Sequence, residues 1–211
     1  MKYVGMPAGM WLLFASSFKR QLSETLRFTS QQAEEISHQA KKRYRQIIAD
    51  LPEFERGDRF RMNIVSCAML SGFILTMPQR SDTDLMADYY RRAMMIPVAR
   101  RFFRLMGRQK FTARDLSSMK KTATFRAADR NPYSWNMDYL PYEDGSGYEA
   151  RFYHCGICTL MNELGLQEYI SAMCKLDYAM SEAGGSSHFI RSCTLASGGP
   201  YCDCGYKKKQ A

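Results

Sequence analysis

The apolar periodicity of this chain changes once, near Asn131-Pro132, and that change restricts the fold class more than any other feature. On its N-terminal side apolar residues recur at helical spacing. Met10 to about Leu26 is apolar and then mixed. A capping-box-like signal at Ser30 opens a run with Ala33, Ile36, Ala40, Tyr44 and Ile47 on one face, and Leu51-Pro52 ends it. Asp58 can cap the next helix, with Phe60, Ile64, Cys67, Ala68, Ser71 and Ile74 on one face and Val65, Met69 and Gly72 elsewhere. A helix apolar nearly all round is expected to be enclosed by others. Its run Met62–Met77 is 16 residues, short of the ~20 that span a bilayer. Ser81-Asp82-Thr83-Asp84 then caps a helix towards Ile96, and Pro97 starts or kinks another. There Arg100, Arg101, Arg104 and Arg108 share one face, while Val98, Phe102, Leu105 and Met106 form the other. Thr112 and Asp115 open a last helix of this part.

Beyond Asn131-Pro132 the period becomes two. Tyr133, Trp135, Met137 and Tyr139 alternate with polar residues, Asp144-Gly145-Ser146-Gly147 is a turn, and Tyr148, Ala150, Phe152 and His154 alternate again, which predicts a hairpin. Two helices follow, Gly156 to Leu164 and Glu168 to about Glu182, closed by Gly165 and by Gly184-Gly185. Phe189, Arg191, Cys193 and Leu195 predict a third strand, Ser197-Gly198-Gly199-Pro200 a turn, and Tyr201–Lys207 the last strand. The expected fold is α+β: a helical N-terminal layer on a four-stranded antiparallel sheet, in β-β-α-α-β-β order at the C-terminal end. With no linker or repeat, one domain over 1–211 is expected, helical over 1–126 and cysteine-rich over 127–211.

Charge follows the same division. Lys and Arg outnumber Asp and Glu by 4 over residues 1–79 and by 8 over 80–126, and fall short by 3 over 127–211. A basic segment of this kind is most simply the solvated face of surface helices. It lacks interleaved exposed aromatics near the arginines or a nucleic-acid motif, so nucleic acid is not expected as partner, and with no apolar run long enough to span a bilayer neither is a membrane. The start, Met1-Lys2 and then a partly apolar stretch over Val4–Ser17, is interrupted by Gly5, Pro7 and Gly9 and does not read as a secretory leader. The expected compartment is a reducing cytoplasm, where thiols serve catalysis or metal binding rather than disulfides.

Six of the seven cysteines lie between Cys155 and Cys204. Cys155 falls where a strand ends and a helix begins, and free N–H groups there favour a thiolate. Asp177 shares a helix face with Cys174 and requires a cation, for which Arg191 is the candidate. Either the two form a buried ion pair, or Asp177 holds an amidine-like cation while Arg191 holds a carboxylate. In a tight final hairpin Cys193 would face Cys204 and Leu195 would face Cys202, with Asp203 on the other side. A zinc site of Cys155, Cys158, Cys202 and Cys204 is the alternative, although a Cys-x-Cys pair on one strand must bend to ligate one ion. His38 and His188 have no partner pattern and are given no role.

The ordered set Cys155…Cys174-x-x-Asp177…Arg191-x-x-Thr194-Leu195-Ala196-x-Gly198…Cys202-Asp203, with the opening Gly9-Met10-Trp11-Leu12-Leu13-Phe14, resembles the L-2-amino-thiazoline-4-carboxylic acid hydrolase family over most of the chain. Cys204 stands where that pattern leads one to expect an aromatic after Cys-Asp. The resemblance implies hydrolysis of a carbon–nitrogen bond in a cyclic amidine, opening an aminothiazoline carboxylate to a carbamoyl-cysteine. It implies Cys155, Asp177 and Asp203 as catalytic groups: Cys155 as nucleophile, Asp177 on the amidinium and Asp203 as base for water. Arg191, Thr194, Cys174 and Cys202 would bind a small-molecule substrate, without a cofactor. The rival readings are a metal-bound hydroxide and a non-catalytic ligand-, zinc- or redox-sensing module. Self-association is left open.

Overall fold

In a computed structural model the described residues are 6–128 and 130–209, so Met1-Lys2, Val4 and Gly5 of the opening lie outside them. The helices are α1 (Pro7–Glu24), α2 (Ser30–Asp50), α3 (Arg61–Ile74), α4 (Thr83–Met94), α5 (Pro97–Gln109), α6 (Ala113–Ala127), α7 (Gly156–Glu163) and α8 (Ile170–Gly184). The strands are β1 (Trp135–Pro141), β2 (Gly147–Cys155), β3 (Ser187–Ile190) and β4 (Cys202–Lys208), in one antiparallel sheet of order β1-β2-β4-β3. The fold is α+β, with every strand in the C-terminal part of the chain. Two compact units interleave in sequence: one runs up to Ile96 and resumes over Gly156–Leu176, and the other takes Pro97–Cys155 and the chain from Asp177 onward.

The first unit is helical. Thr29, one residue before Ser30, is the N-cap of α2; its hydroxyl accepts from Gln32 N at 3.2 Å and Gln32 Oε1 accepts from Thr29 N at 2.9 Å. The buried face of α2 holds Ala33, Ile36, Ala40, Tyr44 and Ile47 as its spacing requires, together with Ile48. Tyr44 donates its hydroxyl to Pro7 O at 2.8 Å, tying the start of α1 to α2. Every residue of α3 from Ile64 to Ile74 is buried, as an all-round apolar helix must be. Phe18 of α1 stacks on Phe73 at 5.0 Å and meets the edge of Tyr89 from α4 at 5.6 Å. Asp82 caps α4 by accepting from Asp84 N and Leu85 N.

The second unit is built on the sheet. Gly145, at φ 67°, makes the β1–β2 turn that an L side chain disfavours. Arg126, at the end of α6, is buried; its Nε donates to Trp135 O at 2.9 Å and its carbonyl accepts from Asn136 Nδ2 at 2.7 Å, which fastens α6 to β1. Helix α5 leaves both its arginine row and its apolar row exposed. Its buried residues are Ala99 and Gly107, whereas Val98, Phe102, Leu105 and Met106 are all exposed. The small side wins because Gly107 lies against the backbone of Gly184 in α8, where a Cβ would overlap the Gly184 carbonyl. Gly107→Ala is therefore expected to destabilise the protein by about 1–3 kcal/mol, read as a lower urea midpoint.

The end of the chain differs from expectation. Strand β3 stops at Ile190 instead of running to Leu195, and Ile190 pairs with Gly205. Continued, that register sets Cys193 against Cys202, two positions from the expected Cys204. The connection is a long loop instead of a tight turn, because side chains capture the donors a ladder would use. Asp203 takes the N–H groups of Ser192 and Cys193, and Thr194 caps a 3-10 turn over Leu195–Ser197 that Gly198 closes at φ 80°.

Candidate active site

A β-bulge decides which sulfur faces inward. Trp135 pairs with Cys155, Asn136 with His154 and Met137 with Phe152, so Tyr153 has no opposite number in β1. Strand residues alternate faces, and one extra residue reverses the alternation beyond it. Cys155 thus joins the face of Phe152, Ala150 and Tyr148, and His154 turns to the other, where its Nε2 meets Pro132 O at 2.7 Å. Cys155 is buried, Tyr153 is exposed, and α7 begins at the next residue, Gly156.

Strand β4 presents its own sulfurs to the same face, since Cys202 pairs with Phe152 and Cys204 with Ala150. Tyr206 lies opposite Tyr148 on one side and Phe189 on the other. Arg191 follows β3, and its Nη2 donates both to Asp177 Oδ2 of α8 and to Cys204 Sγ, the latter at 3.5 Å. The arginine side chain is 5% exposed and that of Asp177 is 32% exposed, so the carboxylate is the open member of the pair. Phe189 lies 4.6 Å and Tyr178 5.8 Å from the guanidinium, with the two rings edge to face.

The electrostatics of this face suit neutral sulfur on β4. Burial raises the thiol of Cys204 well above its ordinary value, and Arg191 only partly opposes it. Burial also raises Cys202, against the N–H of Leu195 that points at its Sγ from 3.2 Å. Cys202 lies opposite Phe152 near the end of β2 and two residues before Cys204, which Arg191 contacts. Burial raises the Asp177 carboxyl as well, and the attraction of Arg191 falls short of cancelling it. The Tyr206 hydroxyl is held far above its usual value by burial first, then by Asp177, Cys204 and Tyr148.

Of the sequence-derived candidates, Cys155, Asp177, Arg191, Cys202 and Cys204 share this side of the second unit. Asp203 does not. It pairs with Arg151 on the opposite face, where Oδ1 accepts from Cys193 N at 2.7 Å and Oδ2 from Ser192 N at 2.9 Å. Asp203→Ala is expected to cost about 1–3 kcal/mol, because two backbone donors lose a charged acceptor, and Asp203→Asn less, because its carbonyl oxygen remains. Urea unfolding of the two variants separates these values. The hydroxyl of Thr194 is engaged in capping, accepting from Ser197 N at 3.1 Å. Cys158 and Cys174 are half-buried and belong to the first unit. None of the seven cysteines is in a disulfide. Among the described residues no group of three or more His, Cys, Asp or Glu is placed to hold a metal ion, the set of Cys155, Cys158, Cys202 and Cys204 included.

Sequence reasoning missed the aromatic and cationic lining. Lys110, between α5 and α6, sits 3.5 Å over the Tyr206 ring and donates to Tyr148 Oη at 3.1 Å. No local signal marks it, because its partners come from two distant strands. Among the described residues no helix is long and apolar enough to cross a membrane.

Neither the curated proteins nor the solved structures return a match. A family profile described as L-2-amino-thiazoline-4-carboxylic acid hydrolase matches residues 62–206. That span holds Cys155, Asp177, Arg191, Cys202 and Cys204 and exceeds half of the 211 residues, so the chain belongs to the L-2-amino-thiazoline-4-carboxylic acid hydrolase family.

Proposed function

We propose that the protein hydrolyses a ring carbon–nitrogen bond of a small cyclic amidine that carries a carboxylate, an aminothiazoline carboxylate being the substrate class. The observation that carries this reading is the buried Arg191 joining a half-open Asp177 to Cys204, on the sheet face that also carries Cys202 and Cys155. Family membership supports it.

An amidinium needs an oriented carboxylate. Arg191 fixes one oxygen of Asp177, leaving Oδ1 for the substrate's protonated nitrogen. Pairing keeps the amidine charged, and a charged amidine is electrophilic at the carbon between sulfur and nitrogen. The Cys155 thiolate adds to that carbon. The ring carbon–nitrogen bond then breaks: Asp177 relays a second proton from the exocyclic amino group to the ring nitrogen, which leaves as an amine while the exocyclic nitrogen forms a C=NH double bond to the carbon held on Cys155. Water adds across that C=NH bond, one proton going to the imine nitrogen and the other to the released amine, and the carbonyl that forms expels the Cys155 thiolate, giving a carbamoyl-cysteine. In this scheme Arg191 orients Asp177 instead of docking the substrate carboxylate, and Asp203 holds the loop that carries Arg191 in place of activating water. The neutral thiols of Cys202 and Cys204 complete the wall.

The test is turnover of 2-aminothiazoline-4-carboxylate by the purified chain, followed by chromatography of substrate and carbamoyl-cysteine. Turnover that survives dialysis against a chelator supports the covalent scheme. Turnover lost with chelator and restored by zinc supports metal-bound hydroxide instead. No turnover at all refutes the substrate class.

A further inference from the structure

The exposed arc of α5 is the feature that the catalytic reading leaves unused. Val98, Phe102, Leu105 and Met106 are 52%, 56%, 52% and 50% exposed, although apolar side chains of this size ordinarily point into a core. Beside them Pro97, Arg100, Arg101, Arg104, Leu105 and Arg108 line an open groove of about 520 Å³. Arg101, Arg104 and Arg108 have no hydrogen-bond or ion-pair partner among the described residues. Helix α5 contains no carboxylate, and from Pro97 to Arg126 nine cations stand against the single acid Asp115.

We propose that this arc docks on an anionic lipid surface. The apolar row Val98, Phe102, Leu105 adjoins the arginine row on the same exposed side, so its partner must offer anionic oxygens and hydrocarbon at adjacent depths. A bilayer interface does both: the apolar row enters the headgroup–acyl boundary while the guanidiniums extend back to the phosphates. A nucleic acid offers phosphates without hydrocarbon. A second copy paired through the same arc would set four arginines against four, which like-charge repulsion opposes.

Co-sedimentation of the full chain with phosphatidylcholine vesicles, with and without about 30% phosphatidylserine, tests the docking. The chain is expected to sediment with the anionic vesicles and to be released by about 0.5 M salt. Combined Arg101→Glu, Arg104→Glu and Arg108→Glu is expected to weaken partitioning by about 100-fold or more. Phe102→Ser with Leu105→Ser, which alters no charge, is expected to weaken it by about tenfold. Circular dichroism of both variants should match the parent, since every changed side chain is exposed. Failure to sediment with anionic vesicles overturns the proposal, as does equal sedimentation with neutral ones. So does retention by the Phe102 and Leu105 variant, which would reduce the effect to charge alone. A dimer in sedimentation equilibrium that the same variant disperses would assign the arc to self-association and overturn it equally.

Discussion

Replacing Cys155 with serine is expected to lower kcat/KM on an aminothiazoline carboxylate by about 10³-fold or more while the far-ultraviolet spectrum and urea midpoint stay near those of the parent. The two residues are nearly isosteric, so the buried site at the end of β2 keeps its packing. What changes is the nucleophile: a serine hydroxyl remains protonated where a thiol can ionise. The same substitution at Cys204 gives the contrast. Burial keeps that sulfur protonated against the opposing pull of Arg191, so Cys204→Ser should retain most of the turnover. A Cys155→Ser protein with full activity would remove the covalent step from the mechanism.

The second large effect is expected at the ion pair. Asp177→Ala leaves the buried guanidinium of Arg191 without its carboxylate, at a cost of about 3 kcal/mol, visible as a fall in the urea midpoint, and turnover is lost with it. Replacing both partners, Asp177→Leu with Arg191→Met, is expected to restore most of the stability and none of the activity, because two apolar groups bury without an uncompensated charge. That double variant separates folding from catalysis.

The pair also sets a pH dependence. Burial raises the Asp177 carboxyl in the folded protein, so this group takes up its proton at a higher pH than an ordinary aspartate. Substrate binding needs the ionised form, and the acid limb of kcat/KM is expected above the ordinary carboxylate value of about 4. Asp177→Asn should abolish turnover at every pH. For stability the sign is opposite to that of a carboxylate whose pKa is depressed. The folded state holds the proton more tightly than the unfolded chain, so stability falls as pH rises from about 3.9 through the raised folded value. Unfolding of Asp177→Asn across that window should lack this decline.

How much could be read from residue order varies along the chain. In α2 the apolar spacing identified the buried face, and in α3 the all-round apolar run identified an enclosed helix, because each signal is local. The Asp177–Arg191 pair was legible too, as a carboxylate on an inward helix face has few ways to be satisfied. Helix α5 was not. Its two rows of arginines and apolar residues left open which side packs; the close approach of Gly107 to Gly184 decides it, and a backbone contact between distant glycines leaves no periodic trace. The β3–β4 connection was misjudged for a related reason. Alternation through Leu195 predicted strand, whereas the carboxylate of Asp203, ten residues beyond Cys193, captured the loop's donors.

The order of elements, the α+β class and the family itself were determined by sequence, since periodicity, caps and motif spacing are properties of neighbouring residues. Strand alternation already put Cys202 and Cys204 on one side, but that Cys155 joins them was decided only by tertiary structure. A single unpaired residue, Tyr153, turns Cys155 inward and His154 outward, and that choice depends on how β2 is matched against β1. Strand register is a long-range balance of packing and hydrogen bonding, and a one-residue difference in it exchanges the two faces of a sheet.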